Sequence, residues 1–290
     1  MPTELIVDNV VRGLLIGMVY GLSALGLSVI FGVIRVVNFA HGELMVWGMF
    51  VSLTGFRLLG LDPLWMIPLV AVVLFVVGYV MQAAMINRLI AAPEHMQFLL
   101  LASVALILVN LAQIVFGPDA QNVIVDYAFD SFVVGPLILD KTRVYAAGAA
   151  LIVCLLLYVF FRFTRTGKAI RACADNRLGA QVVGLDVKRL YALTFGIGAA
   201  CIGAAGSIML LLIDVHPHLA VEYTLLAFII VIIGGLGSMA GALVGGILIG
   251  VSEQLAGLFI QPSLKSVVSF GLLILVLLLW PQGLFGKRPS

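Results

Sequence analysis

Gln97–Phe116, QFLLLASVALILVNLAQIVF, runs for 20 residues without an ionisable group. A helix crosses the ~30 Å of bilayer hydrocarbon in about 20 residues, so this run is one crossing long. Its apolar residues are continuous rather than alternating, the pattern of a helix and not of a barrel strand. In lipid only helices and closed barrels satisfy every backbone group. Similar runs predict further spans at 10–33, 43–60, 64–86, 144–161, 190–213, 221–236, 239–258 and 266–281, the fully apolar stretch of 221–236 being short. The expected fold is therefore an all-α polytopic transmembrane helix bundle of about nine spans (8–10). No linker divides the chain, so residues 1–290 are expected to form a single domain.

Composition agrees. The chain is 63% hydrophobic and 10% charged, with mean hydropathy +1.21. A soluble domain carries about a quarter charged residues; here the outer surface must face lipid. A net charge of +2 gives no reason to expect a nucleic-acid partner. Cys154, Cys173 and Cys201 are scattered without metal or disulfide spacing. The segment MPTELIVDNVVR lacks a basic region and a cleavage site, so no cleaved signal peptide is expected.

Charge placement orients the bundle. Residues 162–189 hold seven of the 16 basic residues, and this loop should be cytoplasmic. Residues 117–143 hold Asp119, Asp126, Asp130 and Asp140 against Lys141 and Arg143, and should be external. Lys287 and Arg288 then lie inside if 221–258 crosses twice, which splits that region at GGLGSMAG and places the N-terminus outside.

Glycines recur every four residues at Gly13, Gly17 and Gly21, at Gly241 and Gly245, and at Gly246 and Gly250. Such stripes let helix backbones approach closely in lipid. The first span and the 190–213 span both open on Arg and are glycine-dotted (RGLLIGMVYG, RLYALTFGIG), as an internal transporter repeat would be.

The segment VVNFAHG, 36–42, followed by Glu43, puts Asn38, His41 and Glu43 where two apolar helices meet. Polar groups there mark pathways or switches; alternatively, Asn38 and His41 cap the helix ends. Neither this cluster nor His216–Pro217–His218 has the ligand set of a metal site. Gly235-x-Gly237-x-x-Ala240 imitates a dinucleotide fingerprint, but the helix after it is apolar all round and no strand–helix units surround it, so a glycine turn between membrane helices is expected. Lys168–Val183 reads as one short helix with Ile170, Cys173, Ala174, Leu178 and Val182 on one apolar face, Lys168, Arg171 and Asp175 elsewhere, and Gly184 as its stop. Such a helix either lies on anionic lipid or docks its small-residue face into a protein groove.

At VNFAHGE the sequence resembles the permeases of branched-chain amino-acid ABC importers, specifically the shorter of their two permease subunits. The likeness covers nearly the whole chain, including RACADNRLGAQVVGLDVKRL and GGLGSMAGALVGGILIG. It implies a permease that moves leucine, isoleucine, valine or other amino acids across the bacterial inner membrane, with its C-terminus cytoplasmic. Relatives importing urea or short amides are similar. It implies as partners a second permease, two ATPase subunits and an external binding protein, the loop 162–189 coupling to an ATPase through Arg171, Ala174, Asp175, Leu178 and Gly184. The chain would not be an enzyme or need a cofactor; it has no Gly-x4-Gly-Lys-Ser/Thr phosphate loop. A zwitterion with an aliphatic tail needs a path with little fixed charge, for which Asn38, His41, Glu43, Asn110 and Gln113 are the polar candidates. Two rivals are a passive channel, which needs no docking loop, and an integral-membrane enzyme, which needs a clustered acid, base or metal set.

Overall fold

A computed structural model describes residues 3–90, 92–135, 137–261 and 264–286. Among the described residues, nine helices of 15 residues or more stand where the nine apolar runs lie. They are α1 (Thr3–Ile34), α2 (His41–Leu59), α3 (Pro63–Met81), α5 (Glu94–Phe116), α6 (Lys141–Phe163), α9 (Val187–Met209), α10 (Leu219–Gly234), α11 (Met239–Phe259) and α12 (Lys265–Leu279). A π turn, Gln82–Ile86, and the short α4 (Asn87–Leu89) extend α3; α7 (Arg165–Asp175) and α8 (Arg177–Val182) make up the basic loop. The described strands form one antiparallel hairpin, β1 (Ser131–Val134) with β2 (Leu137–Asp140). Among the described residues, six helical segments are long and apolar enough to cross a membrane unaided, and α10 and α12 are shorter. The other, α2, carries His41, Glu43 and Arg57 and is mostly buried, so protein rather than lipid surrounds it.

The two ends of the bundle differ in charge. At one end Arg12 donates to Ile138 O at 3.0 Å, Tyr127 donates to Asp62 at 2.8 Å, and Gln121 pairs with Val215. These contacts gather the start of α1, the α2–α3 turn, the acidic 117–143 segment and the loop 210–218. At the opposite end Asn87 donates to Lys188 O, and Arg35, Ile90, Gln97, Cys173 and Arg177 line one cavity. Leu284 and Phe285 donate their N–H groups to Ile233 O and Gly234 O there, which ties the last described residues to the basic end. Lys287 and Arg288 lie outside the described residues.

The core is built from two triplets, α1–α2–α3 and α9–α10–α11. Helix α1 lies antiparallel on α11, and α9 lies antiparallel on α3; α1 crosses α9, while α2 packs on α9 and α10 on α1. Exchanging the triplets leaves this set of pairings unchanged. Each middle helix ends on a positive-φ glycine, Gly60 or Gly235, and each third helix is N-capped, by Asp62 or Ser238. Because α1 runs from the acidic end to the basic end and α9 runs the other way, the repeat is inverted, the arrangement of many transporters.

Close packing explains the glycines. A Cβ added at Gly17 would lie 2.7 Å from Ile247 Cα, and one at Gly246 would run into Gly21 N. The stripes on α11 serve two neighbours: Gly246 and Gly250 face α1, whereas Gly241 and Gly245 face α10.

Candidate functional site

The polar junction forms because α2 begins inside the bundle. After α1 ends at Ile34, residues 35–40 turn back, Arg35 adopting φ 62. His41 Nε2 comes within 3.0 Å of Ser23 O. Ser23 lies 11 residues before the end of α1, about 16 Å along it at 1.5 Å per residue. A carbonyl only accepts, so Nε2 carries the proton. Asn38, His41 and Ser52 are fully buried and Glu43 is nearly so.

The first turn of α2 meets the first two turns of α10, Gly42 lying against Ala220 and Thr224. Gly42 N–H donates to Thr224 Oγ1 at 2.8 Å, which satisfies one of the amide groups a helix start leaves open. Two positive helix ends therefore face one region of low dielectric. Each carries a carboxylate in its first turn, Glu43 on α2 and Glu222 on α10. Asn38 Nδ2, His41 Nδ1 and Glu43 Oε2 are buried without a hydrogen-bond partner among the described residues. The region thus holds one free donor, Asn38 Nδ2, and two free acceptors, His41 Nδ1 and Glu43 Oε2, beside two helix starts. The capping alternative is met only locally: Asn38 Oδ1 accepts from Ala40 N at 3.1 Å, and Ala40, the N-cap of α2, provides no side-chain cap.

Asn110 and Gln113 do not join this cluster. Asn110 is exposed on α5 and donates to its own Leu106 O. Gln113 meets His218 Nε2 at 3.1 Å near the acidic end. A group that sequence reading passes over does join it. Tyr20 and Tyr223 pack edge to face at 6.4 Å, Tyr20 hydrogen-bonds Glu253, and Ser269 Oγ donates to Glu253 Oε1 at 2.9 Å. All four are buried and come from α1, α10, α11 and α12. Ser23 links the two clusters, its hydroxyl donating to Tyr20 O and its carbonyl accepting from His41. The available signal was a carboxylate inside the apolar run ALVGGILIGVSEQL.

The basic loop departs from the single helix expected over 168–183. Asn176 takes an extended conformation (φ −148°) and its side chain accepts from Gly179 N at 2.8 Å, ending α7 and capping α8. Gly184 then closes α8 at φ 83. The expected apolar face is split accordingly. Ile170 and Cys173 are buried against the bundle, and Ala174 lines the cavity beside Arg35 and Arg177. Leu178, Val182 and Val183 are 73%, 88% and 75% exposed. Burial pushes the Cys173 thiol up, opposed by a Tyr191 hydrogen bond and the charge of Arg177. The glycines resembling a dinucleotide fingerprint form the α10–α11 turn, with Gly235 and Gly237 at positive φ and no strand–helix unit beside them among the described residues. No group of three potential metal ligands occurs among the described residues.

Comparison with known proteins matches residues 9–277 to the family described as "Branched-chain amino acid transport system / permease component". The chain is 30% identical to the high-affinity branched-chain amino acid transport system permease protein LivH of Salmonella typhimurium, over 95% of this chain and 94% of that protein. It is 28% identical to the corresponding protein BraD of Pseudomonas aeruginosa, over 97% and 95%. A probable permease, LivM of Methanocaldococcus jannaschii, is 28% identical over 49% of this chain and 47% of its own length. No solved structure matches.

Proposed function

Since the chain belongs to the family of branched-chain amino acid transport permease components, we propose that it imports leucine, isoleucine and valine as one of two membrane subunits of an ATP-driven transporter. The observation that carries this reading is the meeting of α2 and α10 inside an inverted repeat. Their first turns and the unpartnered Asn38 Nδ2 supply donors for a zwitterion's carboxylate, and His41 Nδ1 and Glu43 supply acceptors for its ammonium group. Asn110 and Gln113 lie away from this point, so the central polar path is assigned to Asn38, His41 and Glu43.

The partners follow from the same reading. The likeness to both LivH and LivM proteins supports pairing with a second, related permease. Two ATPase subunits supply the energy and dock at the basic end, where α7 and α8 carry Arg171, Ala174, Asp175 and Leu178 and stop at Gly184. The corrected docking face is the exposed Leu178, Val182 and Val183 of α8 and its C-terminal turn, with Ile170 and Cys173 transmitting the push into the bundle. An extracytoplasmic binding protein delivers substrate to the acidic end. The protein sits in the inner membrane as one domain, with the basic end and the C-terminus in the cytoplasm.

A strain lacking this chain is expected to lose high-affinity uptake of leucine, isoleucine and valine together. Restoration by the wild-type gene but not by His41→Ala supports the reading. Loss of urea or amide uptake with leucine uptake intact moves the substrate to that related class.

A further inference from the structure

Helices α1 and α10 each carry a stripe at four-residue spacing that changes character along its length: Ser23, Leu27 and Phe31 on α1, and Thr224, Phe228 and Ile232 on α10. Residues four apart lie on one helix face. The polar members, Ser23 and Thr224, are those that receive His41 and Gly42 from the start of α2. One turn further on, Leu27, Phe31, Phe228 and Ile232, with Val37 and Phe39 from the linker, line a cavity of about 240 Å³ whose walls are entirely apolar. An apolar cavity of ~150 Å³ already takes a benzene ring, and this one is partly open beside Leu236. The floor is Phe39, packed edge to face on Phe98 at 4.6 Å and tilted on Phe228 at 5.3 Å. Beyond it lies a second cavity, of about 680 Å³, lined by Arg35, His95 and Gln97 at the basic end and sharing Phe31, Val37 and Phe39 as a common wall.

We propose that the apolar cavity is the aliphatic side-chain site of the translocation path, taking the branched alkyl group of an amino acid whose charged groups rest at the starts of α2 and α10. This rests on the import reading above and adds the residues that select the side chain. The geometry suits such a solute: four helical residues separate polar from apolar members, about 6 Å, the order of the distance from a leucine carboxylate to its methyl groups. Phe228 and Ile232 then set the width of the site, and the Phe39 ring must swing aside for substrate to reach the larger cavity.

The test uses the complete importer in proteoliposomes and the diazirine analogue of leucine as photoprobe. The label is expected in the peptides carrying Leu27–Phe31 and Phe228–Ile232, reduced at least about tenfold by excess leucine and not by excess glycine. Narrowing the cavity with Ile232→Trp should lower the ratio of leucine to alanine uptake about tenfold, within the range one hydrophobic group commands, with alanine uptake retained. Phe228→Ala should admit bulkier side chains. Label that leucine does not displace marks a lipid-facing groove and overturns the site, while wild-type leucine uptake keeps the import reading intact. Absence of leucine uptake by the wild-type complex defeats both. If a variant fails to assemble, photolabelling of the unmodified protein decides.

Discussion

Replacing Gly17 by alanine adds one methyl group where α1 touches α11. Its carbon would fall 2.7 Å from Ile247 Cα and 2.8 Å from Gly246 O, both backbone atoms that no rotamer change can move. Ordinary contact begins near 3.4 Å, so the helices must separate by about 3.4 − 2.7 = 0.7 Å. A gap of that order forfeits a quarter to a half of each contact's dispersion well along the seam, and overpacking of this kind costs about 1–3 kcal/mol. Gly148 and Gly271 are matched controls, since a Cβ there meets nothing within 4 Å. In those helices alanine should gain about 0.5–1 kcal/mol from the reduced freedom of the unfolded chain. Thermal unfolding in detergent should therefore rank Gly17→Ala below wild type, with both controls at or above it. The yield of assembled transporter should follow the same order. A Gly17→Ala protein as stable as the controls would show that the α1–α11 seam is looser than its geometry states.

Other predictions address the site and the ends. Cysteines at Arg165 and Arg177 should react with impermeant maleimide from the cytoplasm and those at Asp126 and His216 from outside; both pairs reacting from one side refutes the orientation. Cys173 should resist labelling near neutral pH and react faster as pH rises, because burial raises its pKa and leaves less thiolate at a given pH; rapid labelling at pH 7 would show the α7 face to be open. Thr224→Val removes the hydroxyl that Gly42 N–H uses and leaves a buried amide unpaired, a loss of about 1–3 kcal/mol; Thr224→Ser should restore stability and transport, and equal behaviour of the two variants would discount the contact. Val182→Glu should release the ATPase subunits without affecting membrane insertion, whereas Arg171→Ala should be mild, an exposed charge contributing under about 1 kcal/mol; unchanged ATPase co-purification in Val182→Glu would remove α8 from the docking face.

Six of the described helices were legible in the sequence because their apolar runs are long enough to fix their own solvent, whereas α10 and α12 are shorter and α2 is held within protein. The VNFAHGE junction was legible for the same reason, since polar residues between two such runs stand out. What failed were readings that depend on facing. Asn110 lies in an apolar run, but nothing local says whether its side chain meets the bundle or returns to Leu106 O. The single helix over 168–183 failed at Asn176, whose side chain competes for a backbone amide and starts a new helix instead of continuing the old one. Tyr20, Tyr223, Glu253 and Ser269 were not seen as a unit because their hydrogen bonds and ring contact join four helices far apart in sequence. The inverted repeat left only its glycines and opening arginines as trace; packing made it plain.

In the function proposed above, ATP drives branched-chain amino acids through this chain. The direct measurement is uptake of radiolabelled leucine into proteoliposomes holding the permease pair, its ATPases and saturating binding protein, with and without ATP inside the compartment that the basic end faces. Accumulation above the external concentration is expected only with ATP, competed by isoleucine and valine but not by urea, and lost in Val182→Glu. Equilibration without ATP, or accumulation that urea abolishes and isoleucine does not, would contradict it.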